Sequence, residues 1–172
     1  MAQVIEDKVV IVTGAGRGVG AEIAKLAAKE GAKVVVNDLG GNERGEGGDL
    51  GPAQQVVEEI KAAGGEAVAN GNDVSSWDGA HELFAQAMKT YGDVDAIVNN
   101  AGILLRGTLP EADAQHLEDM WKINVEGLYL GCRVAVKNMR PKVADHPGIT
   151  SPSIDSGGFR APTELWLEFD PS

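Results

Sequence analysis

Two patterns of hydrophobic and polar residues alternate along the first 140 residues of the chain. Short runs of consecutive apolar, mostly β-branched residues predict strands that are buried on both faces. Between these runs, apolar residues recur every three or four positions, which predicts amphipathic helices. We expect strands at 8–13, 32–38, within 64–70 and at 93–100, and helices at 18–30, from 52, after 75–76 and at 111–138. The last helix is expected to be broken near its start.

The alternation of strands and helices predicts an α/β fold. A doubly wound parallel sheet carries helices on both faces, and right-handed crossovers place its strands in the order 3-2-1-4. We therefore expect one domain over residues 1–140. After Asn138 the pattern stops, and the prolines and serines of 141–172 predict an irregular tail. There, 148–150 is a weak candidate for a fifth strand, and 164–169 is a candidate for a short strand or turn.

Charge and cysteine content restrict the classes of partner. The formal net charge is −11, which disfavours nucleic acid and anionic membranes because both bind clustered Lys and Arg. The only cysteine, Cys132, cannot form an internal disulfide and indicates a reducing compartment. The apolar run at 8–13 is too short for a membrane span and lacks the flanks of a signal peptide. We expect a cytoplasmic protein whose partner is a small molecule.

The stretch "VTGAGRGVG", residues 12–20, places glycines at every second position between a strand and a helix. Such a turn lets backbone amides approach a ligand closely, and the N-terminus of the following helix favours an anion. A pyrophosphate is the expected guest, and a tight glycine turn with nothing bound is the alternative. The candidate binding residues of this turn are Gly14, Gly16, Arg17, Gly18 and Val19.

Polar residues at the ends of the other strands extend this candidate site. Asp38 ends the second strand, where a carboxylate accepts both hydroxyls of an adenosine ribose and repels a 2′-phosphate. This favours NAD over NADP, although Arg17 in the glycine turn would favour the phosphate. We expect the adenine edge to meet the third strand end and a flat ligand to lie on the fourth. The further candidates are Leu39, Asp73, Val74, Asn100, Ala101 and Gly102.

The motifs "TGAGRGVG", "NNAG" and "WKINVEG" occur in the order and spacing of the short-chain dehydrogenase/reductase family, which this sequence resembles over roughly residues 5–140. The stretches "VVVNDLGG" and "VVEEIKAAGGEAVAN" resemble its (3R)-hydroxyacyl-CoA dehydrogenase type. The resemblance implies a Rossmann-like fold, NAD(H), and an alcohol and ketone as substrates, plausibly 3-hydroxyacyl- and 3-oxoacyl-CoA. It also implies that Asn124 is a catalytic residue and that the long helix packs against a second subunit. We therefore expect a homo-oligomer or a self-associating chain.

The proton-transferring Tyr-x-x-x-Lys that the resemblance implies is absent from these 172 residues. Tyr91 is followed four positions on by Asp95, which would raise the phenol pKa. Tyr129 is followed by Arg133, which has the right charge and spacing, but a structural tyrosine is favoured there. The chain is interpreted as a truncated or frame-shifted product, or as a shortened protein with a different role.

Two function classes therefore stay open. One is an NAD(H)-dependent oxidoreductase or a fragment of one, and the other is a non-catalytic dinucleotide-binding module. A methyltransferase is disfavoured by the matching motifs. No metal is expected, since His81, His116 and His146 lack the spacing of metal ligands and are predicted to face solvent. Cys132 is predicted to lie in the core.

Overall fold

A computed structural model describes the backbone of residues 5–40, 50–104 and 113–145, and side chains as far as 139. The elements alternate in the predicted way. They are β1 (Val9–Thr13), α1 (Gly18–Lys29), β2 (Lys33–Asn37), α2 (Gly51–Ala62), β3 (Glu66–Asn70), α3 (Trp77–Tyr91), β4 (Ala96–Val98), α4 (Ala114–Trp121), a π-helical segment (Lys122–Gly127) and α5 (Leu128–Asp145).

The four strands form one parallel sheet in the order β3-β2-β1-β4, which confirms the predicted fold class and strand order. Right-handed crossovers bring each new strand to the edge of the growing sheet. In the register of the sheet, Thr13 of β1 lies beside Asn37 of β2, which lies beside Asn70 of β3. The carboxyl ends of these three strands are therefore level at one edge, where a ligand can touch all of them.

Each face of the sheet buries its own hydrophobic cluster because successive strand residues point to opposite sides. Val10, Val12, Val34 and Val36 pack with α1 and α2. On the other face, Ile11 and Val35 pack with α3 and α5. Burial on both faces explains the continuous apolar runs in the sequence, which are typical of strands in parallel sheets.

The fourth strand is shorter and more exposed than predicted. Only Ala96–Val98 forms a strand within the predicted range 93–100, and its three residues are half-buried. Among the described residues β4 pairs with β1 alone, so one of its edges has no strand beside it. Just before β4, the Asp95 carboxylate accepts a hydrogen bond from the Val9 N–H at 2.9 Å. A side-chain oxygen thus serves as the acceptor for this backbone N–H group.

The long C-terminal helix is interrupted as expected but ends later than predicted. Asp113 caps α4 by accepting from the His116 N–H at 2.8 Å, and positions 111–112 of the predicted helix lie outside the described residues. Helix α5 runs past Asn138 and through Pro141 to Asp145, so 141–145 is not irregular and the helix crosses the predicted domain boundary. A proline inside a helix removes one hydrogen bond and crowds the preceding turn, which can kink a helix without ending it. The rest of the predicted tail, from 146, lies outside the described residues.

Alanine packing explains a second difference. The sequence predicts Leu26 in the inner stripe of α1, yet its side chain is 59% exposed. The buried face of α1 is formed by Ala21, Ala24 and Ala28 instead, so this helix lies close to the sheet. In the described part of the chain, no helix is both long and apolar enough to cross a membrane.

Candidate functional site

The glycine-rich turn between β1 and α1 is folded against the end of β2. The Ala15 N–H donates to the Asn37 carbonyl at 2.8 Å, and the Gly16 N–H donates to Asp38 Oδ2 at 2.8 Å. A Cβ on Gly16 would lie 2.8 Å from the Asp38 Cγ, so only glycine allows this contact. The turn and the acidic residue that sequence analysis paired therefore lie side by side.

The N-terminus of α1 is open at this turn. The helix begins at Gly18, and the preceding Arg17 is extended and makes no side-chain cap. The N–H groups of the first helical turn, Gly18 to Gly20, have no partners within a helix by its geometry. Nothing lies within 4 Å of the position that a Cβ on Gly18 would take, and Val19 is exposed. The turn thus has both the donors and the space that a pyrophosphate requires.

The Asp38 carboxylate is held in place by two backbone amides. Besides the bond from Gly16, its Oδ1 accepts from the Gly40 N–H at 2.8 Å. Each carboxylate oxygen keeps a second lone pair, so the group remains able to accept from ribose hydroxyls. Leu39 is exposed next to it. The half-buried carboxyl group lies at the rim of the sheet.

The end of β3 is fixed by side chains that cap α3. Asp73 Oδ1 accepts from the Ser75 N–H at 2.9 Å and from the Ser75 hydroxyl at 2.6 Å. Ser76 accepts from the Gly79 N–H and caps the helix. Both contacts of Asp73 use Oδ1, so Oδ2 is the oxygen that could face an adenine. The Val74 side chain packs against the second core cluster, which leaves its backbone at the rim.

The end of β4 is bound to the end of β1. Asn100 Nδ2 donates to the Thr13 and Gly14 carbonyls, at 3.0 Å each. The Thr13 hydroxyl accepts from the N–H groups of Asn100 and Ala101, also at 3.0 Å. The Nδ2 group of Asn100 therefore binds backbone. A Cβ on Gly14, whose φ is +62°, would lie 2.7 Å from the Ala101 Cα.

Asn124 lies in the π-helical segment and holds the segment that follows β4. Its Nδ2 donates to the Ile103 carbonyl at 2.9 Å, and its Oδ1 accepts from the Ile103 N–H at 2.8 Å. Gly102 is exposed nearby, and a Cβ there would lie 3.2 Å from Asn124 Oδ1. Asn124 is therefore joined to the candidate site through backbone, as expected for a residue at a helix break.

Neither tyrosine has the surroundings of a proton-transfer group. The Tyr91 hydroxyl is buried without a hydrogen-bond partner. Burial raises its pKa to about 12, and the charge of Glu66 adds to the shift, so Asp95 is not the cause that the sequence suggested. Tyr129 is more than half exposed, and the Arg133 guanidinium lies 4.9 Å from the ring centre of Trp77. Arg133 is thus engaged with another aromatic ring.

Two of the remaining predictions on isolated residues need correction. His81 does not simply face solvent, since the centre of its ring lies 4.3 Å from that of Trp77, with the ring planes tilted by 54°, and its Nε2 is buried without a partner. Cys132 is only half-buried, with its Sγ accepting from Asn99 at 3.6 Å, and burial raises the thiol pKa. His116 is exposed as predicted, and His146 lies outside the described residues.

A family model for short chain dehydrogenases matches residues 8–148 of this sequence. The chain belongs to the short-chain dehydrogenase family. It is 46% identical over 142 residues to peroxisomal multifunctional enzyme A of Dictyostelium discoideum, covering 83% of this chain and 32% of that protein. It is 41% identical over 130 residues to the peroxisomal hydratase-dehydrogenase-epimerase of Neurospora crassa, covering 76% of this chain and 14% of that protein.

The solved structures include a relative of this chain. The crystal structure of a short chain dehydrogenase from Mycobacterium avium aligns with a TM-score of 0.74 and 40% identity. The alignment covers 83% of this chain and 49% of that one, so this sequence spans less than half the length of each of these three proteins. The relatives' names agree with the resemblance to the hydroxyacyl-CoA dehydrogenase type.

The candidate residues of the site lie along one edge of the sheet. The glycine turn, Asp38 and the segment 100–102 are connected by hydrogen bonds, whereas Asp73 lies on the next strand end without a direct bond to them. Sequence reasoning missed Thr13, Asn37 and Asn70, which connect these segments. The first is the threonine of the motif "TGAGRGVG", and the other two end predicted strands with a polar residue, which was the available signal.

Proposed function

We propose that this protein is an NAD(H)-dependent oxidoreductase that interconverts a secondary alcohol and its ketone, with 3-hydroxyacyl- and 3-oxoacyl-CoA as the substrate class. The carrying observation is the contact between Asp38 Oδ2 and the Gly16 N–H at 2.8 Å, beside the open N-terminus of α1. In this contact, a carboxylate that could bind a ribose lies next to amides that could bind a pyrophosphate. Family membership supports the reaction class.

The residues of the sheet edge fit an extended dinucleotide. The amides of the glycine turn and of Gly18 and Val19 would hold the pyrophosphate. Asp38 would accept from the ribose and Asp73 from the adenine edge, while the nicotinamide would supply the hydride acceptor. The Asp38 charge favours NAD over NADP, and the exposed Arg17 is the feature that works against this preference.

A second candidate function, a dinucleotide-binding module without turnover, is favoured by the proton-transfer chemistry. Oxidation of an alcohol requires a group that takes the hydroxyl proton as the hydride leaves. The 172 residues contain no Tyr-x-x-x-Lys, and the buried Tyr91 has a pKa of about 12, far above neutrality. Asn124, the one residue of the family's catalytic set that this sequence retains, binds backbone and moves no proton.

Cofactor choice is tested by titrating NAD and NADP into the wild type and Asp38→Asn in a calorimeter. We expect NAD to bind more tightly, and we expect the substitution to reduce the NAD-to-NADP affinity ratio by about tenfold because one charge at the 2′-position is removed. Glu58→Gln, which removes one exposed charge on α2, is the matched control and should leave the ratio unchanged. A wild type that binds NADP as tightly as NAD would contradict the assignment.

Turnover distinguishes the two functions. NADH formation is followed with 3-hydroxyacyl-CoAs and simple secondary alcohols, with Asn124→Ala as the comparison. Measurable turnover that falls in Asn124→Ala supports the oxidoreductase. Tight NAD binding without turnover by the wild type supports the binding module, and failure to bind either dinucleotide would refute both.

We also propose that the chain self-associates through the outer face of α4 and the π-helical segment. Leu117 is 69% exposed and Trp121 is 56% exposed, and Val125 and Tyr129 continue the apolar surface along the helix axis. A surface cavity of about 530 Å³ lies against this face, between Leu117 and Glu126. Exposed apolar area of this kind is typical of interfaces.

Sedimentation velocity tests the proposed interface. Trp121→Glu places a charge in the centre of the face and should shift the protein toward monomer. Leu26→Glu adds the same charge on the exposed side of α1 and should leave the sedimentation coefficient unchanged. A wild type that sediments as a monomer across the accessible concentrations would refute the proposal.

A further inference from the structure

Four amide side chains join the ends of β2 and β3 to helix α3. Asn37 Nδ2 donates to Asn70 Oδ1 at 2.7 Å and to the Asn72 carbonyl at 2.9 Å. Asn70 Nδ2 donates to Asn72 Oδ1 at 2.8 Å and to Gln86 Oε1 at 2.7 Å. At the outer end, Asn72 Nδ2 donates to the carboxylate of Glu82. We call Asn37, Asn70, Asn72 and Gln86 the amide network.

Backbone groups determine the orientation of three of the four amides, and Asn70 and Glu82 determine that of Asn72. The Asn72 N–H donates to Asn70 Oδ1 at 3.0 Å, so this oxygen must face the loop. The Asn72 carbonyl requires a donor from Asn37, and the Ala69 carbonyl accepts from Gln86 Nε2 at 2.9 Å. Asn70 consequently uses both hydrogens and both lone pairs of its side chain. Asn37 and Asn70 are 1% and 2% exposed, so water cannot replace these bonds.

The network lies between the segments that form the candidate site. The Asn37 carbonyl accepts from the Ala15 N–H of the glycine turn, and the Asn70 carbonyl accepts from the Asp38 N–H at 3.0 Å. Asn72 is the residue immediately before Asp73. The glycine turn and Asp38 are therefore each one hydrogen bond away from the backbone of Asn37 or Asn70. The loop that carries Asp73 is held through Asn72.

The side chains of the network face away from the ligand side. Asn37 follows Val36 of the α1-facing cluster, so its side chain lies on the α3 face of the sheet, where Gln86 meets the network. Asp38 points to the other face, toward Gly16. The network therefore acts through the backbone that it holds. Asn70 leaves no unpaired group in its side chain, and a satisfied buried amide specifies a unique arrangement, which an apolar side chain at the same position would not do.

We propose that Asn37 and Asn70 are positioning residues for the adenosine half of the dinucleotide. They hold the Asp38 and Asp73 segments in place before any ligand arrives. Preorganisation of this kind raises affinity because the free energy of binding is not reduced by the cost of ordering the edge of the sheet. The inference rests on the proposed dinucleotide site and adds residues to it that do not touch the ligand.

The first test is the affinity of Asn70→Leu for 5′-AMP, ADP and NAD, measured by calorimetry on the full chain. The leucine has the same number of side-chain heavy atoms and the same branching at Cγ, but leaves the Asn72 N–H and one hydrogen of Asn37 Nδ2 without partners. We expect about tenfold weaker binding of all three ligands, because they share the adenosine. Leu83→Ala removes core packing from α3 away from the rim, and serves as the control for stability. It should bind AMP within about twofold of the wild type, as expected for a site left in place.

A second variant and a backbone readout keep the test decisive if Asn70→Leu does not fold. Gln86→Met removes one partner of Asn70 from the helix side, and AMP binding should weaken about two- to threefold. Hydrogen exchange at the Asn72 amide should accelerate in Gln86→Met and not in Leu83→Ala, since only the first variant loosens the acceptor of that amide.

The outcomes separate this inference from the proposed function. If the wild type binds AMP and NAD while Gln86→Met and any folded Asn70→Leu bind them as tightly, the positioning role is refuted and the dinucleotide site stands. If Leu83→Ala loses as much affinity as Asn70→Leu at equal stability, the network is merely structural and the inference is refuted too. If the wild type binds neither ligand, the proposed function fails, and the inference fails with it.

Discussion

Replacing Gly14 with alanine should be far more destabilising than the same change at a glycine of similar conformation outside the site. Gly14 has a φ of +62°, and a Cβ there would lie 2.7 Å from the Ala101 Cα and 3.1 Å from its nitrogen. Both atoms belong to the backbone, so no side chain can move aside to relieve the clash. The turn and the segment after β4 would have to separate.

The expected magnitude has two parts. A left-handed conformation costs an alanine about 1–2 kcal/mol, and forcing an extra carbon into a packed region costs about 1–3 kcal/mol more. Gly64, which follows α2, isolates the first part, because its φ is +89° and nothing lies within 4 Å of its Cβ position. We therefore expect Gly64→Ala to lose about 1 kcal/mol and Gly14→Ala to lose about 3 kcal/mol.

Urea unfolding followed by far-UV circular dichroism measures both losses, with unchanged slopes showing that the transitions are comparable. The same proteins are then titrated with NAD. Gly14→Ala should bind more weakly because its turn is displaced, and Gly64→Ala should bind like the wild type. Equal losses of unfolding free energy for the two variants would refute the packing of the turn against Ala101.

Three further predictions concern single side chains. The pKa of Tyr91 is raised from 10.0 to about 12, so the contribution of its neutral hydroxyl to stability is complete below pH 10 and is lost as the pH rises through 12. Tyr91→Phe should abolish this loss, which is measured as the difference between urea midpoints at pH 8 and pH 11. A wild type whose midpoint falls no more than that of the variant would contradict the prediction. Ser76→Ala removes the cap that accepts from the Gly79 N–H and should cost about 1 kcal/mol in the same assay, whereas an unchanged midpoint would show that the cap is replaced by water. Asn124→Ala leaves both backbone groups of Ile103 without their side-chain partner and should lower the free energy of unfolding by about 1–3 kcal/mol. Hydrogen exchange at the Ile103 amide should also become faster. Unaltered exchange would argue against the contact.

Much of the architecture follows from local pattern. Continuous apolar runs and helical spacing predict the elements, and the handedness of the crossovers predicts the order β3-β2-β1-β4, all of which the structure bears out. The pairing of the glycine turn with Asp38 follows as well, because parallel strands deliver their carboxyl ends to one edge. Helix ends and exposed positions were less predictable. Leu26 fits the inner spacing of α1, but the alanines beside it already fill the space against the sheet.

The sequence alone therefore determined which segments meet and which chemistry their ends present, because periodicity and chain direction are local properties. Only the tertiary structure decided what each polar side chain binds. Asn100 gives its amide hydrogens to β1 carbonyls, and Asn37 meets Asn70 across 33 residues of chain. Such partners depend on the register between strands and on the distance to a helix. Neither the register nor this distance can be predicted from a single segment, since both arise when separate segments pack together.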